Sequence, residues 1–140
     1  MNNIKILIFG FTFLFTCSAS ATWSIAVLNK DTQTIAVAGA SCSYMVYGIA
    51  STIPGKGVAI VQAASNGQAR AEAIKLISED KPLAEIMKQL TTNADYDPQN
   101  QQYALLSFSE YETPLIYTGE KVEASKGTFA AKAVIALQPL

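Results

Sequence analysis

The chain has 140 residues, of which 50% are hydrophobic, with 10 lysines and arginines against 11 aspartates and glutamates and no histidine. This near-neutral balance without basic clusters argues against a nucleic-acid partner. The missing histidine excludes Ser-His-Asp and Cys-His catalysis and every imidazole-ligated metal site. A catalytic base in this protein would therefore be a carboxylate, a lysine or an amino terminus.

Residues 1–21 are predicted to be a secretion signal peptide. Lys5 precedes an almost wholly apolar run at 6–16, and small residues at 19–21 provide a cleavage site. The apolar run is shorter than the roughly 20 residues that a membrane-spanning helix needs. We therefore expect an exported protein, periplasmic or extracellular, with no stable membrane span after cleavage. A lipoprotein anchored through Cys17 is the less favoured alternative, because the threonine before that cysteine is larger than such a site prefers.

The segment 22–140 is predicted to be a single domain that opens with a β-hairpin. Large and small side chains alternate at 23–28, polar residues follow at 30–33, and small residues occupy 34–40. A turn centred on Asp31 and Thr32 would pair Thr22 with Ser41 on the opposite strand. The two ends of this hairpin should therefore bring hydroxyl groups together.

Further strands and two helices are predicted next. After a loop at 41–47 and a short strand, a Pro-Gly-Lys-Gly turn precedes the strand 57–64, which is apolar except for Gln62 and should be covered on both faces. Ser65 or Asn66 can cap a helix that extends to 79. The residues expected on its buried face are Ala69, Ala73, Leu76 and Ile77.

Pro82 begins a second helix, and strands complete the domain. The buried stripe of this helix is predicted to be Leu83, Ile86, Met87 and Leu90. A polar loop at 91–101 then leads to strands at 102–109 and 114–118 and to a last apolar run at 128–137. Helices grouped between strands in this way favour an α+β domain with layered antiparallel sheets.

No cofactor or metal site is predicted. Phosphate-loop, dinucleotide-binding and calcium-loop patterns do not occur in the sequence. Two pairs of carboxylates lie in predicted turns, and we interpret them as solvated turn residues: Asp95 with Asp97, and Glu110 with Glu112.

Thr22 is the candidate catalytic residue. Cleavage after Ala21 would give Thr22 a free α-amine, whose pKa near ~7.7–8.0 suits a base at neutral pH. A threonine activated by its own amino terminus needs no histidine. This residue therefore satisfies the constraint that composition places on catalysis.

The candidates around Thr22 are oxyanion or pocket residues in two groups. Ser41, Cys42 and Ser43 should lie beside Thr22 as hydroxyl or backbone N–H donors, with Cys42 a buried or partly buried free thiol. Polar residues at the junction of strand and helix could converge on the same place: Gln62, Ser65 and Asn66. The alternative for this second group is a helix cap and one buried, hydrogen-bonded amide.

The sequence resembles domain-of-unknown-function family 1028 over about 22–119. The segments that carry the resemblance are 21–27, 38–42, 53–59, 62–63 and 117–119. Members of that family are often exported, and the family is grouped with the N-terminal nucleophile hydrolases. The resemblance implies antiparallel sheets sandwiched between helical layers, with Thr22 as the nucleophile at the start of the first strand.

The sequence also departs from the family. Members tend to have a second cysteine soon after the position of Gly119, which 120–127 lacks, and to continue with a Gly-Asn pair and further helices and strands. A member that lacks these elements should be incomplete at its C-terminus and should leave a sheet face or edge uncovered. A diverged short member, a truncated product and a homo-oligomer that covers the gap are the open alternatives.

Two functions follow as hypotheses. The first is an exported hydrolase that cuts an amide or related acyl bond of a small-molecule or peptide-like substrate through Thr22. The second is a non-catalytic exported module that retains the fold and binds a ligand or partner.

Overall fold

Two four-stranded antiparallel sheets face each other in the computed structural model, which describes residues 22–43, 46–122 and 126–138. The predicted signal peptide, its predicted cleavage site at 19–21 and Cys17 lie outside the described residues. In spatial order, the first sheet contains β2 (Thr34–Ser41), β1 (Thr22–Asn29), β8 (Val134–Gln138) and β7 (Gly127–Ala131). The second contains β3 (Ala50–Ile53), β4 (Gly57–Ala63), β5 (Gln101–Ser107) and β6 (Leu115–Thr118).

The first hairpin has the predicted register. Thr22 pairs with Ser41, and the pairing continues to Asn29 opposite Thr34. The side-chain oxygen of Asn29 accepts hydrogen bonds from the backbone N–H groups of the next turn residues, Asp31 and Thr32, both at 3.0 Å. Such a local side-chain bond fixes the turn and with it the register of both strands.

The last apolar run, predicted as one segment at 128–137, is in fact a hairpin of β7 and β8. The chain reverses at Lys132 and Ala133, and Ala133 adopts a positive φ of 60°. Its backbone N–H donates to the carbonyl of Tyr111 at 3.1 Å, which holds the turn against a neighbouring loop. Because alanine is not a typical turn residue, the composition of the run conceals this reversal.

Both predicted helices are present with the predicted buried faces. The side chain of Asn66 caps α1 (Gly67–Ser78) by accepting the backbone N–H groups of Gln68 and Ala69 at 2.9 Å. The buried residues of α1 are Ala69, Ala73, Leu76 and Ile77, and those of α2 (Leu83–Thr92) are Leu83, Ile86 and Leu90, with Met87 partly buried against them.

The segment 91–101, predicted to be a polar loop, contains more helical structure than expected. Helix α2 continues to Thr92, and the hydroxyls of Thr91 and Thr92 donate to the carbonyls of Met87 and Lys88 in the preceding turn. Two short 3₁₀ helices follow, at Ala94–Tyr96 and Pro98–Asn100. This segment therefore connects α2 to β5 without an extended irregular loop.

The helices cover one face of the second sheet, and the first sheet covers the other. One core cluster joins α1 and α2 to β4 and β5, and a second lies between the two sheets. Every residue of β5 is buried, as is all of β4 except Ala63. The prediction that β4 is covered on both faces is confirmed.

The outer face of the first sheet is apolar and exposed. Trp23 on β1 is 47% exposed and Phe129 on β7 is 58% exposed, and all five residues of β7 are exposed. In the paired register these side chains share their face with alanines at 36, 38 and 40 of β2. Among the described residues, no other element covers this face of the first sheet.

Glu110 is not a solvated turn residue, although the sequence predicted it to be one. Its half-buried carboxylate accepts the backbone N–H of Leu83 at 2.7 Å, and no side chain at Pro82 caps α2. Glu112 is exposed as predicted and pairs with Lys132, whose hydrogen bond and charge lower the pKa of that carboxyl. Asp95 and Asp97 are exposed as predicted.

We expect Glu110→Ala to destabilise the protein by about 0.5–2 kcal/mol, because the first N–H groups of α2 would lose their carboxylate cap. Urea unfolding measures this loss. Glu112→Ala is the matched control, since an exposed ion pair contributes little, and it should leave the unfolding midpoint unchanged. Equal shifts for the two variants would contradict the capping role of Glu110.

Candidate functional site

A cleft of about 400 Å³ opens where the start of β1, the end of β2 and the first turn of α1 meet. Its lining includes Thr22, Ser41, Ser43, Ala63, Ser65 and Arg70. Four of these six side chains carry a hydroxyl and one carries a positive charge. The cleft therefore places hydroxyl groups and a positive charge around the candidate nucleophile, beside the apolar side chain of Ile49.

Thr22 and two serines form a row of hydroxyl groups in this cleft. The Thr22 Oγ1 and the Ser41 Oγ lie 2.9 Å apart, and the Ser41 Oγ and the Ser43 Oγ lie 3.1 Å apart. The backbone N–H of Ser43 also donates to the Ser41 Oγ at 3.1 Å. This row is a direct consequence of the hairpin register, which sets Thr22 opposite Ser41.

The opposite wall of the cleft is built from left-handed backbone. Ala63 and Ser65 have positive φ angles of 71° and 53°, a conformation that non-glycine residues adopt at a cost. Hydrogen bonds hold this segment in place: the Ala64 N–H donates to the Asn100 carbonyl at 3.1 Å and the Ser65 Oγ donates to the Val61 carbonyl at 3.2 Å. The wall is thus fixed in shape before any ligand arrives.

Gln62 is adjacent to this wall, but its side chain points into the interior. Ser24 on β1 donates to the Gln62 Oε1 at 2.6 Å, and the Gln62 Nε2 donates to the Gln102 Oε1 at 3.0 Å. The Gln102 Nε2 in turn donates to the Thr118 Oγ1 at 3.1 Å. Gln62 is therefore the buried, hydrogen-bonded amide of the alternative interpretation, and it ties the two sheets together.

Of the remaining candidates, Asn66 caps a helix and Cys42 is exposed. Asn66 caps α1, as the alternative interpretation predicted, and its N–H donates to the Gln101 Oε1 at 3.0 Å. Cys42 is a free thiol but is exposed, so the prediction of a buried or partly buried thiol is wrong. Cys42 lies just after the end of β2, in a bend between Ser41 and Ser43.

Arg70 is the residue of this cleft that the sequence analysis missed. Its Nη1 is buried and has no hydrogen-bond partner among the described residues. The available signal was its uniqueness, since it is the only arginine of the chain and lies one turn after the predicted helix cap. The apolar spacing that predicts the buried face of a helix gives no information about the role of a charged residue in that helix.

The other buried group that lacks a partner within the described ranges is the hydroxyl of Tyr103. The ring of Tyr103 stacks on that of Tyr117 with centroids 5.6 Å apart, in the core between helices and sheet. Burial raises the pKa of Tyr103 above its usual range, so the phenol stays protonated. It belongs to the core and not to the cleft.

Over the described parts of the chain, no three acidic or cysteine side chains group closely enough to hold a metal ion.

Among residues 22–43, 46–122 and 126–138, neither helix has the length and apolar character to cross a membrane.

Comparisons with known proteins identify a family and similar solved structures. The family model described as "Family of unknown function (DUF1028)" matches residues 22–138. The crystal structure of protein SPO2555 from Silicibacter pomeroyi, which carries the same family model, is similar with a TM-score of 0.77 and 21% identity. The similarity covers 86% of this chain and 53% of that one, so this chain spans about half the length of that structure. None of the curated proteins is detectably similar.

Proposed function

Since the chain belongs to the DUF1028 family of unknown function, we propose that it is an exported hydrolase of an amide or related acyl bond, with Thr22 as its nucleophile. The observation that carries this proposal is the hydrogen bond between the Thr22 Oγ1 and the Ser41 Oγ in a polar cleft. The layered sheets and helices support an N-terminal nucleophile hydrolase-like fold.

The reaction would begin once residues 1–21 are removed. The free α-amine of Thr22 takes the proton from its own Oγ1 as that oxygen attacks the carbonyl carbon of the substrate. The developing oxyanion accepts hydrogen bonds from donors on the cleft wall, for which Ser41 and Ser43 are the candidates. The carbon–nitrogen bond then breaks, and the protonated amine gives its proton to the leaving nitrogen. An ester on Thr22 remains.

Water completes the cycle. The α-amine takes a proton from a water molecule, which attacks the ester carbonyl, and the acid is released as the proton returns to the Thr22 Oγ1. The α-amine of Thr22 transfers the proton both when the ester forms and when water hydrolyses it, so the mechanism needs neither histidine nor cofactor. This agrees with a chain that contains no histidine.

We expect the secreted protein to begin at Thr22 and to react there with a small epoxyketone, which can join both a hydroxyl and an adjacent free amine. Intact-mass analysis would show the start of the chain, and peptide mapping would locate the adduct. Protein unfolded in urea is the control and should not react, because the reaction requires the cleft.

Two results would contradict this proposal. A chain that begins at a lipid-modified Cys17 would leave Thr22 without a free amine. Correctly processed protein that resists the epoxyketone would favour the second hypothesis, a non-catalytic module that binds a ligand or partner through the same fold.

A further inference from the structure

We propose that Arg70 is the substrate-recognition residue of the cleft and that its guanidinium binds a carboxylate. The substrates would then be small amides that carry a carboxylate group. The identification of the bond that is cut rests on the proposed function, whereas the carboxylate site stands on the geometry of Arg70 alone.

Arg70 has a buried hydrogen-bond donor that is unpaired among the described residues. Arg70 lies in the first turn of α1, where its backbone N–H donates to the Asn66 carbonyl at 3.2 Å and its side chain lines the cleft. Its Nη1 is buried without a partner in the described part of the chain. A buried donor left unpaired is destabilising, and more so when it is charged. The described residues therefore leave this guanidinium incompletely paired, and a ligand carboxylate in the cleft that Arg70 lines would supply the missing negative charge.

The positive charge of Arg70 has no acidic partner in the described lining of the cleft. No aspartate or glutamate lines the cleft among the described residues. The ion pairs that the structure describes join lysines to acids elsewhere: Lys56 with Asp80, Lys75 with Glu72, and Lys132 with Glu112. The one arginine of the chain is thus the cation that faces the cleft without an anion. A planar guanidinium donates two parallel N–H bonds to a carboxylate, which a lysine cannot do.

Arg70 and Thr22 line the same cleft, whose volume limits the size of a substrate. A cleft of about 400 Å³ lies at the lower end of the volumes that hold small-molecule ligands. Because Arg70 and Thr22 line the same small cleft, a small molecule that carries both a carboxylate and an amide suits it best. Molecules of this kind are N-acylated amino acids, dipeptides and monoamides of short dicarboxylic acids.

Equilibrium binding tests the site apart from catalysis. Calorimetric titration uses N-acetylglycine and its methyl ester as probes, with processed Thr22→Ala protein so that no turnover occurs. We expect N-acetylglycine to bind at least tenfold more tightly than the neutral ester. Arg70→Gln should remove this preference and Arg70→Lys should restore part of it.

Lys75→Gln is the matched control, because it removes the same charge from an exposed position on the same helix. It should retain the preference for the acid. Circular dichroism and thermal unfolding confirm that each variant is folded. Equal affinity for acid and ester in the parent protein, or equal affinities in Arg70→Gln and Lys75→Gln, would overturn the proposal.

Turnover separates this inference from the proposed function. With Thr22 intact, N-acetylglycine and succinamate place the carboxylate on the amine side and on the acyl side of the amide. For the probe that is hydrolysed, Arg70→Gln should raise KM at least tenfold while changing kcat much less. Carboxylate binding without hydrolysis of either amide would count against the hydrolase while supporting the role of Arg70. Hydrolysis with an unchanged KM in Arg70→Gln would overturn the role of Arg70 alone.

Discussion

Thr22→Ala should lower kcat/KM at least about a thousandfold, because the variant has an amine but no hydroxyl to attack the substrate. Its folding should change little. The substitution removes one half-buried hydroxyl that contacts Ser41, which is worth roughly 1 kcal/mol. Activity assays and urea unfolding of the same samples would separate the loss of chemistry from the loss of structure.

A second form of the protein isolates the amine. One alanine placed before Thr22 keeps the hydroxyl but converts the α-amine into an amide nitrogen, which cannot accept a proton at neutral pH. If the α-amine is the base, this extended form and Thr22→Ala lose activity by similar factors. Full turnover by the extended form would show that another group acts as the base.

Gly119→Ala should destabilise the protein by about 3 kcal/mol or more. A Cβ at this position would lie 2.2 Å from the carbonyl oxygen of Gln99 and 2.4 Å from that of Pro98. Both of these oxygens are backbone atoms. The Gly119 N–H also donates to the Gln101 carbonyl at 2.9 Å. Moving the 3₁₀ helix Pro98–Asn100 away from Gly119 would also break the hydrogen bond from the Lys121 N–H to the Gln99 carbonyl, which is 2.9 Å long.

Gly127→Ala is the control for this effect, since a Cβ there would meet nothing within 4 Å. It lies in β7 and should be neutral or slightly stabilising, because alanine has less freedom in the unfolded chain. Urea unfolding of both variants gives the comparison. A loss at Gly119 no greater than that at Gly127 would show that the two segments separate readily.

The sequence predicted those parts of the fold in which local chemistry determines geometry. The turn after Asn29 fixes the hairpin register, and the register alone brings Thr22 to Ser41. Asn66 followed by regularly spaced apolar residues predicted α1 and its buried face. In each case the decisive contacts join residues close in sequence or paired by a single turn.

The features that the sequence did not predict depend on contacts between distant segments. Glu110 caps α2 across 27 positions, and Ala133 turns the last hairpin against the carbonyl of Tyr111. Arg70 is a candidate functional residue because it lines a cleft whose other walls include β1, β2 and the end of β4. The spacing of apolar residues within one strand or helix does not predict which other elements will lie beside it.

Strand β5 is fully buried and β7 is fully exposed. The free energy of local opening should therefore be higher for β5 than for β7. Amide hydrogens of β5 exchange with solvent chiefly when the whole domain unfolds, whereas those of β7 exchange through fluctuations confined to the edge of its sheet. Strand β8, which buries Ile135 and Leu137, lies between that edge and β1. Motion of the edge strand is therefore separated from Thr22 by one well-anchored strand.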